Sequence, residues 1–172
     1  VSFDVHLDDG EVLINSVYAL KAKRKALYEA SISYIITSLG AMEVKAELKT
    51  ISDEAVRDIP RFGLTLEINR NFDSVTYYGR GDSENMPDFK CQAPMGIYSA
   101  KVDDMYEMYV YPQESGMHCD TKWIELSDND GDTLTVYADS TLAFSVHHFT
   151  QTAVHKAQHQ EDVSDMNTTF LT

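Results

Sequence analysis

His155 and His159 are four residues apart and would share one face of a helix, a spacing that suits zinc. A zinc protease of this pattern places its glutamate base directly after the first histidine, where this chain has Lys156. No third ligand is evident, so the pair reads as a polar helix face. His147 and His148 are adjacent in a strand, which points them to opposite faces and prevents joint chelation. The run from Asp128 to Asp132 has the composition of a calcium loop, but Gly131 falls too early for an EF-hand. A polar hairpin turn is the better reading. Gly79-Arg80-Gly81 supplies only the first two glycines of a dinucleotide pattern and no helix follows. Glu84, Asp88 and Glu114 are candidates for a glycosidase carboxylate pair, a chemistry that requires two carboxyls at a set separation. Cys91 and Cys119 lack metal-ligand spacing and are too few for a disulfide framework, so two free thiols in a reducing cytoplasm are expected.

These residues sit in a chain of 172 residues with a formal charge of -14, from 14 basic and 28 acidic side chains. So acidic a surface repels phosphate backbones and anionic lipid, which excludes nucleic acid as a natural partner. The basic run Lys21 to Lys25 has no interleaved aromatics and reads as a solvated loop. No apolar run is long enough to span a membrane and no leader is visible at the N-terminus, so a cytoplasmic protein is expected. The chain opens at Val1 in what looks like mid-strand, as an excised piece of a longer protein would.

Alternation with period two dominates the elements that must position these side chains. Val1, Phe3, Val5 and Leu7 alternate with polar residues, and Asp8-Asp9-Gly10 offers a turn into Val12 and Ile14. A strand near Ile32 to Thr37 turns at Ser38-Leu39-Gly40 into Val44, Ala46 and Leu48. Leu64, Leu66 and Ile68 repeat the device, as do Ile124 with Leu126, Leu134 with Val136 and Ala138, and Leu142 with Phe144 and Val146. Ala19 to Ala30 reads as strand, basic loop, strand despite its helix propensity. Thr150 to Gln160 has a threonine cap and room for one or two helical turns. Tyr77 to Gly116 differs, because Gly, Asn, Pro and Tyr accumulate there and the alternation lapses. Many short antiparallel strands and little helix predict an all-β sandwich, taken as one partial domain over 1–172.

In that divergent stretch, Tyr78-Gly79-Arg80-Gly81-Asp82-Ser83-Glu84-Asn85-Met86-Pro87-Asp88 resembles the Tyr-Gly-x-Gly-Pro-x-Glu-Asn-Tyr-x-Asp-Arg motif. That motif belongs to the C-terminal domain of family-two β-galactosidases, also found as the separate small chain of two-chain enzymes. Asp104-Met105-Tyr106 with Tyr109-Val110-Tyr111-Pro112-Gln113-Glu114-Ser115-Gly116 is similar to that family's Tyr-x-x-Tyr-Val-x-Pro-x-Glu-Asn-Gly. Pro60-Arg61-Phe62-Gly63 resembles its Pro-Arg-Ile-Gly, and Thr121-Lys122-Trp123 its Thr-Arg-Trp. Four blocks in one order are far more specific than any one of them. Asp82, Met86, Phe89 and Ser115 depart from the family's Pro, Tyr, Arg and Asn. A Gly-Gly-Asp-x-Ser-Trp segment downstream and a Trp-Arg-Ala-Pro-Thr-Asp-Asn-Asp block upstream fall outside the sequence, so a domain truncated at both ends is expected.

The resemblance implies an antiparallel supersandwich of the galactose-mutarotase-like type. It implies that two glutamates of a separate (β/α)8 barrel perform retaining hydrolysis of terminal β-galactosides such as lactose, and that this segment is inactive alone. The implied partners are that barrel domain or large chain and the galactoside itself. No cofactor is implied within the segment, and magnesium and sodium in the parent enzyme. Arg80, Glu84, Asn85 and Asp88 become the residues of a loop at the pocket or at the barrel interface, and Gly79, Gly81, Tyr109, Pro112, Glu114 and Gly116 its framework, with the Tyr109 ring buried and its hydroxyl bonded. Two other readings stand beside this one. A carbohydrate-binding module would use exposed aromatics such as Trp123, Tyr106, Tyr109 and Tyr111, and a mutarotase-like epimerase would use His118 or His147 with a glutamate.

Overall fold

The computed structural model describes residues 1–22, 24–55 and 58–172, and in it the alternating runs become antiparallel strands. The chain divides into two compact units, Val1–Gly63 and Leu64–Thr172. In the first, β1 (Ser2–Asp8), β2 (Glu11–Ala22), β3 (Lys25–Ile36) and β4 (Met42–Thr50) pair in sequence order as a meander. The register explains the pattern: Val5 opposes Ile14, Ile14 opposes Tyr34 and Tyr34 opposes Val44, giving an apolar row across four strands. One residue along, Asp4, Asn15, Ser33 and Lys45 form the polar row of the other face. Alternation here reports which side chains share a face, not that the face is covered: every residue of the edge strand β1 is exposed. The basic run lies at the β2–β3 hairpin as expected, with Lys25 paired to Glu54 at 2.6 Å, while Lys23 lies outside the described residues.

In the second unit, β5 (Leu66–Asn69), β10 (Val146–His147) and β11 (Thr168–Leu171) make one sheet in the order β10-β11-β5. The other sheet has the order β7-β6-β8-β9, from β6 (Ser74–Arg80), β7 (Met95–Lys101), β8 (His118–Ser127) and β9 (Thr133–Phe144). The two sheets meet across one core. Val75, Tyr77, Ile124 and Leu126 from the four-stranded sheet pack with Val146, Leu171, Leu66 and Ile68 from the three-stranded one. The all-β antiparallel expectation therefore holds. The polar run after β8 is a hairpin turn, in which the Asp128 carboxylate accepts the backbone N–H groups of Asp130 and Asp132, each at 2.9 Å.

Two elements differ from their sequence reading. β7 lies inside the stretch where alternation lapses, because its outward residues Met95 and Ile97 are as apolar as the inward Tyr98 and Ala100, and this removes the contrast. β11 is too short, at four residues, to show a period. The helix α1 (Gln151–Lys156) is as expected, with the Thr150 hydroxyl accepting from the Ala153 N–H at 3.1 Å and six residues making the one or two turns foreseen. Its end releases His159 into a separate turn, where the Asp162 carboxylate accepts the Gln158 and His159 backbone N–H groups. His155 and His159 thus do not share a helix face, which corrects the sequence expectation.

Close packing of β6 against β8 fixes one glycine. A Cβ on Gly79 would collide with the Thr121 hydroxyl oxygen and lie 3.0 Å from its Cα. Since Thr121 is fully buried and backbone cannot give way cheaply, Gly79→Ala should cost about 1–3 kcal/mol. A Tm lowered by several degrees is the expected readout, and an unchanged Tm would show that the strands part without penalty.

Candidate functional site

The loop after β6 and the loop before β8 come together in a corner that contains most of the motif residues. Glu84 is its centre. The Gly116 N–H donates to one Glu84 carboxylate oxygen at 2.6 Å, and the Tyr109 hydroxyl donates to the other. Glu84 is only 7% exposed, so both oxygens are committed to partners inside the protein. The bond to Glu84, with burial and that negative charge, pushes the Tyr109 phenol up to about 12. Gly116 has φ +71, and a Cβ there would run into the Met105 carbonyl oxygen and lie 2.8 Å from the His147 ring. Only glycine meets both conditions.

Asn85, next in the chain, is fully buried and ties three segments together. Its amide nitrogen donates to the Arg80 and Ser83 carbonyls, both at 3.1 Å, while its amide oxygen accepts the Cys119 N–H at 2.8 Å. The backbone N–H of Asn85 donates to the Met117 carbonyl, also at 2.8 Å, and the Cys119 thiol donates to its carbonyl. Burial raises the Cys119 pKa, keeping it a neutral thiol, whereas Cys91 is exposed.

On the flank of this corner Arg80 and Lys90 hold Asp120. The guanidinium Nε donates to Asp120 Oδ2 at 2.6 Å, and the ammonium group of Lys90 to Oδ1 at 2.8 Å. The Arg80 bond first, then the Lys90 bond, hold the Asp120 carboxyl below the usual range. Asp120 has φ +53 and sits where the β8–β9 register shifts between His118 and Thr121, a bulge that turns its side chain toward Arg80. Behind it, Tyr77 Oη and His118 Nδ1 are 2.8 Å apart, with the Arg80 carbonyl 3.1 Å from the same nitrogen. Burial lowers the His118 pKa and raises that of Tyr77.

The structure brings Arg80, Glu84 and Asn85 together with Gly79, Gly81, Tyr109 and Gly116, and leaves Asp88 and Glu114 exposed at the rim while Pro112 is buried. Tyr109 is 38% exposed although its hydroxyl is bonded, so the residue is not buried as expected. Sequence reasoning missed Asp120, Lys90, His118 and Cys119 as partners of the loop. A general base must reach its substrate, and burial of both His118 and His147 gives an epimerase-type base no such access. Among the described residues no three His, Cys, Asp or Glu side chains are grouped closely enough to hold a metal ion. No described helix is long and apolar enough to cross a membrane.

Removing the Tyr109 hydroxyl leaves one Glu84 oxygen without its partner in a buried place. Tyr109→Phe should therefore cost about 1–3 kcal/mol in urea unfolding, and a loss well under that would mean that water replaces the phenol.

Together the antiparallel sheets and the Glu84 corner define an all-β domain of the kind that the four sequence blocks resemble. The family described as beta galactosidase small chain matches residues 2–172, and the chain belongs to that family. It is 31% identical over 130 residues to a β-galactosidase of Vibrio cholerae, covering 76% of this chain and 12% of that protein. A Psychromonas ingrahamii β-galactosidase is 28% identical over 152 residues, 88% of this chain and 14% of that protein. The β-galactosidase BgaC of Bifidobacterium adolescentis is 24% identical over 165 residues, 94% of this chain and 16% of that protein. The chain thus spans about one eighth to one sixth of these curated relatives.

Proposed function

We propose that this chain is a non-catalytic part of a β-galactosidase that supports the catalytic (β/α)8 barrel and shapes the mouth of the galactoside pocket. The family match over residues 2–172, to a small fraction of much longer β-galactosidases, carries the reading. The corner agrees with it. Glu84, the buried carboxylate of the motif, spends both oxygens on Gly116 and Tyr109, which suits an anchor and not a nucleophile or acid. What Glu84 anchors is a loop whose Met108, Val110 and Tyr111 are 78%, 103% and 63% exposed. An exposed apolar loop tip held on a rigid base is the expected form of a contact with the rest of a larger enzyme. On this reading Arg80 and Asp88 belong to a loop at the pocket or at the barrel interface.

A chimaera tests the proposal. The matching segment of the Vibrio cholerae relative is replaced by this chain, and hydrolysis of a chromogenic β-galactoside is compared with that of the segment-deleted enzyme and of this chain alone. Activity in the chimaera only is expected, with a raised KM on Asp88→Ala. Turnover by the isolated chain, or full activity without the segment, would overturn the proposal.

A further inference from the structure

The outward face of the sheet β7-β6-β8-β9 carries a row that the Glu84 corner does not use. Tyr78 on β6 opposes Ile97 on β7 and Trp123 on β8, and Trp123 opposes Tyr137 on β9. The row therefore crosses all four strands in the order Ile97, Tyr78, Trp123, Tyr137. Its members are poorly covered: Ile97 is 67% exposed, Tyr78 38% and Tyr137 77%, with Trp123 half-buried between the two tyrosines. Neighbouring strands lie about 4.8 Å apart, so the row is roughly 14 Å long, the reach of two or more linked sugar rings.

A second row runs parallel to it, two residues along each strand. Thr76 opposes Ser99 and Glu125, and Glu125 opposes Thr135. These side chains are hydroxyls and one carboxylate, already arranged in pairs, with Thr76 and Ser99 oxygens 2.9 Å apart and the Thr135 hydroxyl donating to Glu125 at 3.5 Å. An aromatic platform edged by hydrogen-bonding groups takes flat ligands by their faces. Nucleic-acid bases stack on such platforms, but a chain with a net charge of -14 repels their phosphates. A protein partner is a poorer match, since a stable interface uses about 20–30 residues a side and the two rows together supply eight. A neutral sugar ring fits both limits: its C–H face meets the negative face of the aromatic ring, and its hydroxyls meet the polar row.

We propose that this face is a carbohydrate-binding platform, on which a neutral oligosaccharide lies across the strands over Tyr78, Trp123 and Tyr137 with its hydroxyls toward Thr76, Glu125 and Thr135. The inference stands apart from the role of the Glu84 corner and does not depend on the parent enzyme. Trp123 is the sole tryptophan of the chain, so emission excited selectively from tryptophan reports this face alone. The chain is titrated with a galactan-derived tetrasaccharide and, separately, with cellotetraose and maltotetraose. A saturating change in Trp123 emission with at least one of them is expected, weakened about tenfold by Tyr137→Ala and by Tyr78→Ala. Tyr137 is on an edge strand and mostly exposed, so its truncation should leave the melting curve in place, which separates lost binding from lost folding. Flat emission with all three sugars on folded protein overturns the proposal. So does a response that both variants leave unchanged, which would put the sugar elsewhere, or an emission change that follows protein concentration and not sugar, which would make the row a contact between copies. None of these outcomes bears on the chimaera assay, which tests the barrel-supporting role by turnover.

Discussion

Asn85→Ala should destabilise the chain by about 3–5 kcal/mol, a loss comparable to the whole stability of a marginal domain. Truncation removes the acceptor of the Cys119 N–H and the donor to the Arg80 and Ser83 carbonyls, and it does so at a position with no exposed surface. Water has little room to enter as a substitute, so each group bears its own desolvation penalty. Asn85→Asp sharpens the argument because it keeps the shape. A carboxylate retains the bond from Cys119 but directs negative charge at two carbonyl oxygens, so the Asp variant should be at least as unstable as the Ala variant near neutral pH and should regain ground in acid. Urea unfolding of both variants measures this. A cost below about 1 kcal/mol for Asn85→Ala would mean that the loop is held without the asparagine, and an Asp variant as stable as wild type would mean that its amide donors do not matter.

The contrast between what the sequence foretold and what it concealed follows from distance along the chain. In the meander β1–β4, partners are hairpin neighbours and the outer strands β1 and β4 have one polar face each, so Val5 with Leu7 or Val44 with Ala46 announce themselves. In β6 and β7 the inner face includes Gly79 and Gly96 and the outer face includes Tyr78 and Ile97, so neither period nor polarity separates the faces. The corner shows the same division. Glu84, Asn85 and Gly116 were legible as members of two short motifs, but a motif is silent on what it touches. Asp120 meets Arg80 and Cys119 meets Asn85 across more than 30 residues of sequence, through a β6–β8 pairing and a bulge that no local pattern encodes. An arginine in a glycine-rich turn asks for a carboxylate, and that was the one available signal. In an acidic chain it leaves many candidates.

The buried histidines make acid sensitivity the second large effect. His147 stacks on Phe149 with ring centroids 4.9 Å apart, meets the edge of Tyr106, and donates from Nε2 to the Ser115 carbonyl at 3.0 Å. Its Nδ1 is buried with no partner among the described residues, so a second proton would have nothing there to bond to. Burial therefore lowers its pKa to about 4, against smaller opposing pulls from the Ser115 carbonyl and the charge of Glu84, and burial lowers that of His118 as well. Unfolded histidine titrates near 6.5, so between about 6.5 and 4 the unfolded chain takes up protons that the folded chain refuses. The stability contributed by neutral His147 is complete above that window and is lost as pH falls through it, by about 3 kcal/mol in all, with His118 adding in the same direction. Asp120 acts lower: its carboxyl is held down by Arg80 and Lys90, so its contribution is present above about 3.9 and is lost only as pH falls further. Urea midpoints compared at about pH 7.5 and about pH 5 should therefore drop in wild type, and drop less in His147→Phe, where the aromatic stack remains and the titrating nitrogen is gone. A wild-type midpoint that holds steady across this range, or a drop that His147→Phe leaves undiminished, would show that the corner admits water to the histidine and that burial does not control its charge.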